Sequence, residues 1–235
     1  MARLARSTVV GYPHQVTQRG NCEQMVFEED EDFQRYRAWL CEYAGRYSVK
    51  IWAYCLMRNH VHFVCVPKAE RALAHSFNML HMRYAQYYHG KKGVTGHLWR
   101  GRFLSCMLDD RSVFEEVRYI ENNPVRAGLV ERAEDYPWSS ARSHVTGEPD
   151  AVLVVGGDMV RALNMMASVP MCRAILDWRS YLAASADEEI VKRTHERLKT
   201  GRPSGDLEFV RKLEEILRRR LEPLPRGRPR KDVKR

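Results

Sequence analysis

The chain is predicted to be an α+β protein built on a ferredoxin-like split βαβ unit, an antiparallel sheet with helices packed on one face. Three observations carry this. Apolar residues repeat at strand-like and helix-like periods in the order strand, helix, strand, strand, helix, strand between "YPHQVTQRG" and "RFLSCMLDD". The second and third strands are separated only by the polar pair Arg58-Asn59, short enough for an antiparallel hairpin. After "DYPWSSARSHVTGEPD" the alternation ends and the chain turns mostly helical.

Each element has its own local reason. "YPHQVTQRG" reads as a short strand ending in a glycine turn, and "DEDFQRYRAWLCEYAGRYS" as a helix with acidic residues early and Phe33, Tyr36, Leu40, Tyr43 and Ala44 on one face. "VKIWAYCLM" and "HVHFVCV" are rich in β-branched and aromatic residues and form the hairpin strands. Leu73, Phe77, Leu80, Tyr84 and Tyr87 predict a second helix over 72–89, ended by the three glycines of "GKKGVTGH". "RFLSCMLDD" supplies a further strand. Asp109 or Asp110 then caps a third helix near "RSVFEEVRYIENN", which Pro124 limits. The organisation read this way is a domain over 1–147, a helical accessory region over 148–222, and a basic tail over 223–235. That tail is too charged and too poor in apolar residues to bury a core.

Composition narrows the class of function. No run approaches 18 apolar residues and the N-terminus lacks an apolar stretch of signal-peptide length, so the expectation is a soluble, cytoplasmic protein with no membrane partner. The six cysteines contain no CxxC pair, which argues against a zinc knuckle or disulfide frame. The formal charge is +9, but residues 217–235 hold seven Arg and two Lys against one Glu and one Asp, so most of the excess is a tail. Within the body, residues 71–108 carry six basic side chains and no acidic one, with Phe77, Tyr84, Tyr87, Tyr88, Trp99 and Phe103 interleaved. That mixture suits phosphates and unstacked bases.

Within the predicted third strand, His60 and His62 are two apart and so share a face, while Val61 points away. Neutral imidazoles held this way can converge on a divalent cation. Spacing alone leaves a second reading open, a pair of hydrogen-bonded histidines at a sheet edge. Tyr119 and Asn123 are four apart, hence on one face if both are helical. Asn123 can then offer an oxygen ligand beside the Tyr119 hydroxyl, or the two can be a packed tyrosine and a helix-end asparagine. Tyr84, Tyr87 and Tyr88 are rival phenols, but none has an amide one turn downstream.

Four stretches, "GYPHQVTQRGN", "WAYCLMRNHVHFVCVP", "TGHLWRGRF" and "YIENNPVRAGLVERAEDYPWSSARSH", stand in an order and spacing that resembles the REP-associated tyrosine transposases, a branch of the single-tyrosine HUH transposases, over residues 8–147. Arg58 departs from the pattern, where proline usually precedes Asn-His-Val-His; it changes a turn position and not a ligand. The resemblance implies an HUH domain with Tyr119 as nucleophile, His60 and His62 as metal ligands and Asn123 as the third, loaded with Mg²⁺ or Mn²⁺. It further implies single-stranded DNA cleaved near hairpin repeats through a 5′-phosphotyrosine intermediate. It also implies a monomer or a homodimer, since some relatives exchange helices between protomers. An ordinary phenol titrates near 10, so about one in a thousand is ionised at neutral pH and such a site must assist it.

Arg83, Lys91, Lys92, Arg100 and Arg102 are the candidate phosphate contacts. Trp99 is either a platform for an unpaired base or a core anchor of its loop. "PRGRPRK", with Arg226, Arg228 and Arg230, resembles an AT-hook for the A·T minor groove, against the plainer reading of a solubilising tail. Two further functions compete with cleavage: a domesticated protein that binds hairpins without cutting, and an RNA-binding ferredoxin-like module, which gives His60 and His62 no task.

Overall fold

Strand β1 (His14–Arg19) is followed by α1 (Asp30–Arg46), β2 (Val49–Met57), β3 (His60–Pro67), α2 (Ala72–Lys92) and β4 (Leu104–Met107), the order expected from the sequence. The sheet runs β2-β3-β1-β4 and every neighbouring pair is antiparallel. This is a computed structural model, which describes residues 7–153, 177–184 and 187–222. Arg226, Arg228 and Arg230 of the tail, and the helices expected over 154–176, lie outside the described residues.

Local chemistry sets the element ends. Asp32 accepts from the backbone N–H groups of Glu28 and Glu29 at 2.9 and 3.1 Å, closing a capping box at the start of α1. Helix α2 runs through Gly90 and three residues past its predicted end, because Gly93 (φ 64°) is the residue that adopts the left-handed stop. The hairpin between β2 and β3 is held from outside. Val26 and Phe27 donate to the Arg58 carbonyl at 2.7 and 3.0 Å, and Gly20 donates to that of Asn59 at 2.8 Å. A Cβ at Gly20 would lie 2.3 Å from the Gln24 carbonyl oxygen, so only glycine allows β1 to turn this close to the hairpin.

The period-two pattern divides the strands between two cores. Val16, Val61, Phe63 and Cys65 face α1 and α2 in an aromatic-rich cluster with Phe27, Tyr36, Tyr84 and Trp99. Cys55, Met57, Val64 and Cys106 face the other way, where α3 (Asp110–Glu121) packs through Val113, Val117 and Ile120. The first two helices do share one face, as predicted. The third covers the opposite one.

Asp109 caps α3 by accepting from Ser112 N at 2.8 Å. Pro124 ends it but at once seeds a short helix α4 (Asn123–Arg126), where a proline in the first turn costs no internal hydrogen bond. Asn123 therefore stands just past the end of α3 and not on its last turn. Helices α5 (Ala141–Thr146), α6 (Trp178–Ala183) and α7 (Glu188–Thr200) follow, with α8 (Leu207–Leu217) last among the described residues.

The described residues after 147 share the cores of the domain predicted to precede them. Val152 joins the first cluster, and Trp178, Leu182 and Leu198 join the second. The sheet edges are also covered: Trp138 and Ser140 bond to β2, and Ser204 bonds to β4 through Met107. Among the described residues no helix is long and apolar enough to cross a membrane.

Candidate active site

His60 and His62 project from β3 toward α3, on the face they share with Thr17 and Arg19 of β1. Their ring centroids are 5.0 Å apart and nearly perpendicular. The Asn59 amide oxygen accepts from His60 Nδ1, which fixes the proton there and leaves Nε2 with its lone pair. Burial, then the charges of Arg19 and Arg126, push the His60 imidazole down to about 4. His62 is held well below the usual imidazole range by burial and by the neighbouring charges of His60, His195, Arg19 and Arg126. Both are neutral rings at neutral pH, the ligating form.

Tyr119, on α3, lies with its ring centroid 6.3 Å from that of His62. The Arg126 guanidinium sits 3.7 Å from the centre of the Tyr119 ring and donates to Asn123 Oδ1 at 3.1 Å. His60, His62, Tyr119, Asn123 and Arg126 thus meet at one place within a single chain. His62 Nδ1 and Asn123 Nδ2 are buried there without a hydrogen-bond partner among the described residues. No cluster of three or more His, Cys, Asp or Glu among those residues is arranged to hold a metal. A cation at this place would rest on two imidazole nitrogens and the amide oxygen that Arg126 engages. That mixed donor set suits Mn²⁺ or Mg²⁺ better than zinc, which more often recruits a third His or a Cys.

The end of α3 is fastened by a buried carboxylate. Glu121 is wholly buried and accepts from Ser140 Oγ, from His144 Nδ1 at 2.6 Å and from Trp178 Nε1 at 2.9 Å. The next residue, Asn122, donates to the Leu182 carbonyl at 2.8 Å. Tyr119 and Asn123 flank these anchors in sequence, so α5 and α6 set where the phenol and amide stand.

The predicted DNA-contact residues separate into two groups. Arg83 pairs with Glu42 at 2.9 Å, Lys91 with Asp32 at 2.8 Å and Lys92 with Glu28 at 2.6 Å. The charge asymmetry of residues 71–108 is therefore balanced in part by carboxylates on and just before α1, a pairing that local sequence does not reveal. Arg100 and Arg102 are exposed. Trp99 is only 8% exposed, donates its indole N–H to the His81 carbonyl at 3.0 Å and packs on His81 and Tyr84. This corrects its reading as a stacking platform: a base could reach it only by opening the core. Phe77, Phe103, Tyr84 and Tyr88 are likewise buried, so the interleaved aromatics are a core feature. The rival phenols Tyr84 and Tyr88 are bonded to Val26 and Glu28 on the α1–α2 side, and Tyr87 to Asp32.

Residues 10–123 match the family model described as "Transposase IS200 like". The match spans 114 of the 235 residues, just under half of the chain. Among solved structures, a REP-associated tyrosine transposase bound to a REP hairpin aligns with TM-score 0.50 and 19% identity, covering 66% of this chain and 92% of that one. A putative transposase from Deinococcus radiodurans R1 aligns with TM-score 0.37 and 16% identity over 51% of this chain and 96% of its own. No curated protein matches. The fold of the REP-associated transposase is the fold of this chain. The family match ends at Asn123, so Arg126, His144, Trp178 and His195 lie outside it. Sequence reasoning missed Arg126 although it stands in "NPVRAG". It missed Glu121 because an acidic residue late in a helix reads as solvent-facing, and His195 because a lone histidine on a helix carries no signal.

Proposed function

We propose that this IS200-like transposase is a metal-dependent endonuclease and strand transferase acting on single-stranded DNA beside hairpin repeats, with Tyr119 as its nucleophile. The observation that carries the reading is the meeting of Tyr119 with the paired imidazoles in one chain, ring to ring at 6.3 Å. The phenolic oxygen attacks a backbone phosphorus. The bond to the 3′ oxygen breaks as that oxygen takes up a proton equivalent to the one the phenol gives up to solvent, and the products are a 5′-phosphotyrosine and a free 3′-hydroxyl. Because the phosphoester energy is kept in the covalent link, the reverse step on another strand needs no nucleotide cofactor. A divalent cation, Mg²⁺ or Mn²⁺, held by His60, His62 and Asn123, supplies Lewis-acid polarisation of the scissile phosphate when bound. Arg126 offers a cation beside the nucleophile, available to the non-bridging phosphate oxygens. Burial keeps both histidines unprotonated, and Asn59 holds the His60 ring by its Nδ1 proton.

The structurally similar REP-associated transposase is bound to a REP hairpin, which supports a folded single strand as the partner class here. Arg100 and Arg102 would meet its phosphates, and Arg226, Arg228 and Arg230 of the tail would give a second, minor-groove grip. One protomer holds the whole set of site residues, so a monomer suffices for the first cleavage. Incubation with single-stranded hairpin DNA and Mn²⁺, followed by a denaturing gel, tests the reading. A covalent adduct that disappears in Tyr119→Phe is expected. Tight hairpin binding with no adduct on any substrate would overturn it in favour of a non-cutting binding protein.

A further inference from the structure

Helix α7 lies beyond the family match and yet reaches the reaction centre. It is capped by Asp187, which accepts from Ile190 N at 3.1 Å, and its position against α3 is fixed at its start and along its length. Asp187 N donates to Glu115 Oε2 at 2.9 Å and Arg111 pairs with Asp187 at 3.1 Å. Midway along the helix, Thr194 Oγ1 bonds Ser204 Oγ at 2.7 Å, while Ser204 N donates to the Met107 carbonyl at 2.8 Å. Leu198 buries in the same cluster as α3.

This fastening sets one side chain against the nucleophile. The His195 and Tyr119 rings meet in a T-shaped contact, with centroids 4.4 Å apart and planes at 76°. Its Nε2 is 3.9 Å from Oε1 of Glu116, a wholly buried carboxyl whose Oε1 accepts from Gln15 Nε2. His195 Nε2 has no hydrogen-bond partner among the described residues. The Tyr119 ring is therefore bounded by a guanidinium at 3.7 Å, one imidazole at 4.4 Å and another at 6.3 Å. Edge-to-face contacts at such separations have a preferred orientation and restrict the rotation of the ring they touch.

We propose that His195 is a positioning residue for Tyr119: the C-terminal region completes the reaction centre by supplying an aromatic edge that holds the phenol in line toward His60 and His62. This rests on Tyr119 being the nucleophile. A phenol free to swing leaves its attack geometry, and displacement by an ångström at a reacting centre can cost about a hundredfold in rate. Burial, then the charges of Arg126 and Lys199, push His195 down to about 4, so the ring meets the phenol neutral and adds no second cation beside Arg126.

The test uses the full chain with His195→Ala, His195→Leu and His195→Phe, the last keeping a flat ring edge. The single-turnover rate on saturating hairpin DNA with Mn²⁺ is expected to fall about 10- to 100-fold in the Ala and Leu variants. Hairpin affinity should stay within about twofold, and His195→Phe should recover most of the rate. Should His195→Ala not fold, the Leu and Phe pair decides alone. A second readout needs no cleavage: nitration of Tyr119 by tetranitromethane, followed by peptide mass spectrometry, should rise severalfold in the Ala and Leu variants and not in Phe. A wild-type protein with no Tyr119-dependent adduct would sink the nucleophile and leave nitration to judge the contact. Unchanged rates and nitration in the Leu variant, a Phe variant as slow as Leu, or a rate loss matched by an equal loss of hairpin affinity would each overturn the proposal.

Discussion

Substituting Glu121 by alanine should unfasten the end of α3. The wild-type carboxylate is fully buried and takes three donors: the Ser140 hydroxyl, the His144 ring at 2.6 Å and the Trp178 indole at 2.9 Å. Removing it strands all three in the second core, and each buried donor left without a partner costs about 1–3 kcal/mol. Partial relaxation and entry of water reduce the sum, which we place at about 3–5 kcal/mol, the range found on breaking buried ionic contacts. At about 2–4 °C per kcal/mol for a chain of this size, the thermal midpoint should fall by about 6–20 °C. Calorimetry, with urea unfolding to check that the slope is unchanged, measures it. Glu121→Gln keeps the shape but turns an amide N–H toward a donor, and should lose a smaller amount, about 1–3 kcal/mol. A midpoint shift below about 3 °C in Glu121→Ala would refute the argument, since it would mean that the three donors find other acceptors or lie in water.

Two further outcomes follow from burial and pairing. His14 is fully buried and burial pushes its imidazole down to about 4, against the upward pull of its bond to the Tyr12 carbonyl. A depressed imidazole contributes stability that is complete above about pH 6.5 and is lost as pH falls toward 4, at about 2 kcal/mol between pH 6.5 and 5. Urea unfolding across that range should show the loss, and a flat profile would count against a buried neutral ring. Among the cations, Arg100→Ala and Arg102→Ala should each weaken hairpin binding and lower the salt slope by about one. Lys92→Ala should change affinity less than about twofold, because Glu28 already holds that ammonium at 2.6 Å. Fluorescence anisotropy in a salt series distinguishes these, and a larger effect from Lys92 would mean that DNA displaces the acidic start of α1.

The split βαβ order was legible because each strand and helix carries its own pattern: "VKIWAYCLM" is a short apolar run rich in β-branched and aromatic residues and bounded by a two-residue turn, and α2 repeats every three or four residues. The histidine pair was legible for the same reason, since i and i+2 in a strand must share a face. What was hidden depends on pairing across the chain. Lys91 and Lys92 look like a free basic patch until α1 brings Asp32 and Glu28 beside them. Trp99 looks available until α2 turns His81 and Tyr84 toward it. Glu121 looks solvated until the segment around Ser140 and Trp178 folds over it. Each of these contacts joins residues far apart in sequence, and local periodicity has no access to such distances.

The two faces of the sheet also explain why the site is where it is. On the α1–α2 side the space is filled by rings such as Phe63, Phe77 and Tyr84, so an imidazole there could only be a core histidine. On the α3 side the helix ends at Glu121, and the seam between α3 and β3 admits His60, half-buried, beside His62, nearly buried. On the proposed function, depth sets their chemistry: enough burial to keep both rings neutral, enough opening for a phosphodiester to approach from the side of the exposed Arg126. Deeper placement would shut out the substrate, while full exposure would let the rings protonate near their ordinary value and forfeit the lone pairs. Stability at low pH and readiness for catalysis are then opposed in the same two side chains. Replacing Arg126 with leucine removes the guanidinium that lies over Tyr119 and bonds Asn123, and should lower the yield of covalent adduct on hairpin DNA in a denaturing gel; an unchanged yield would count against this placement.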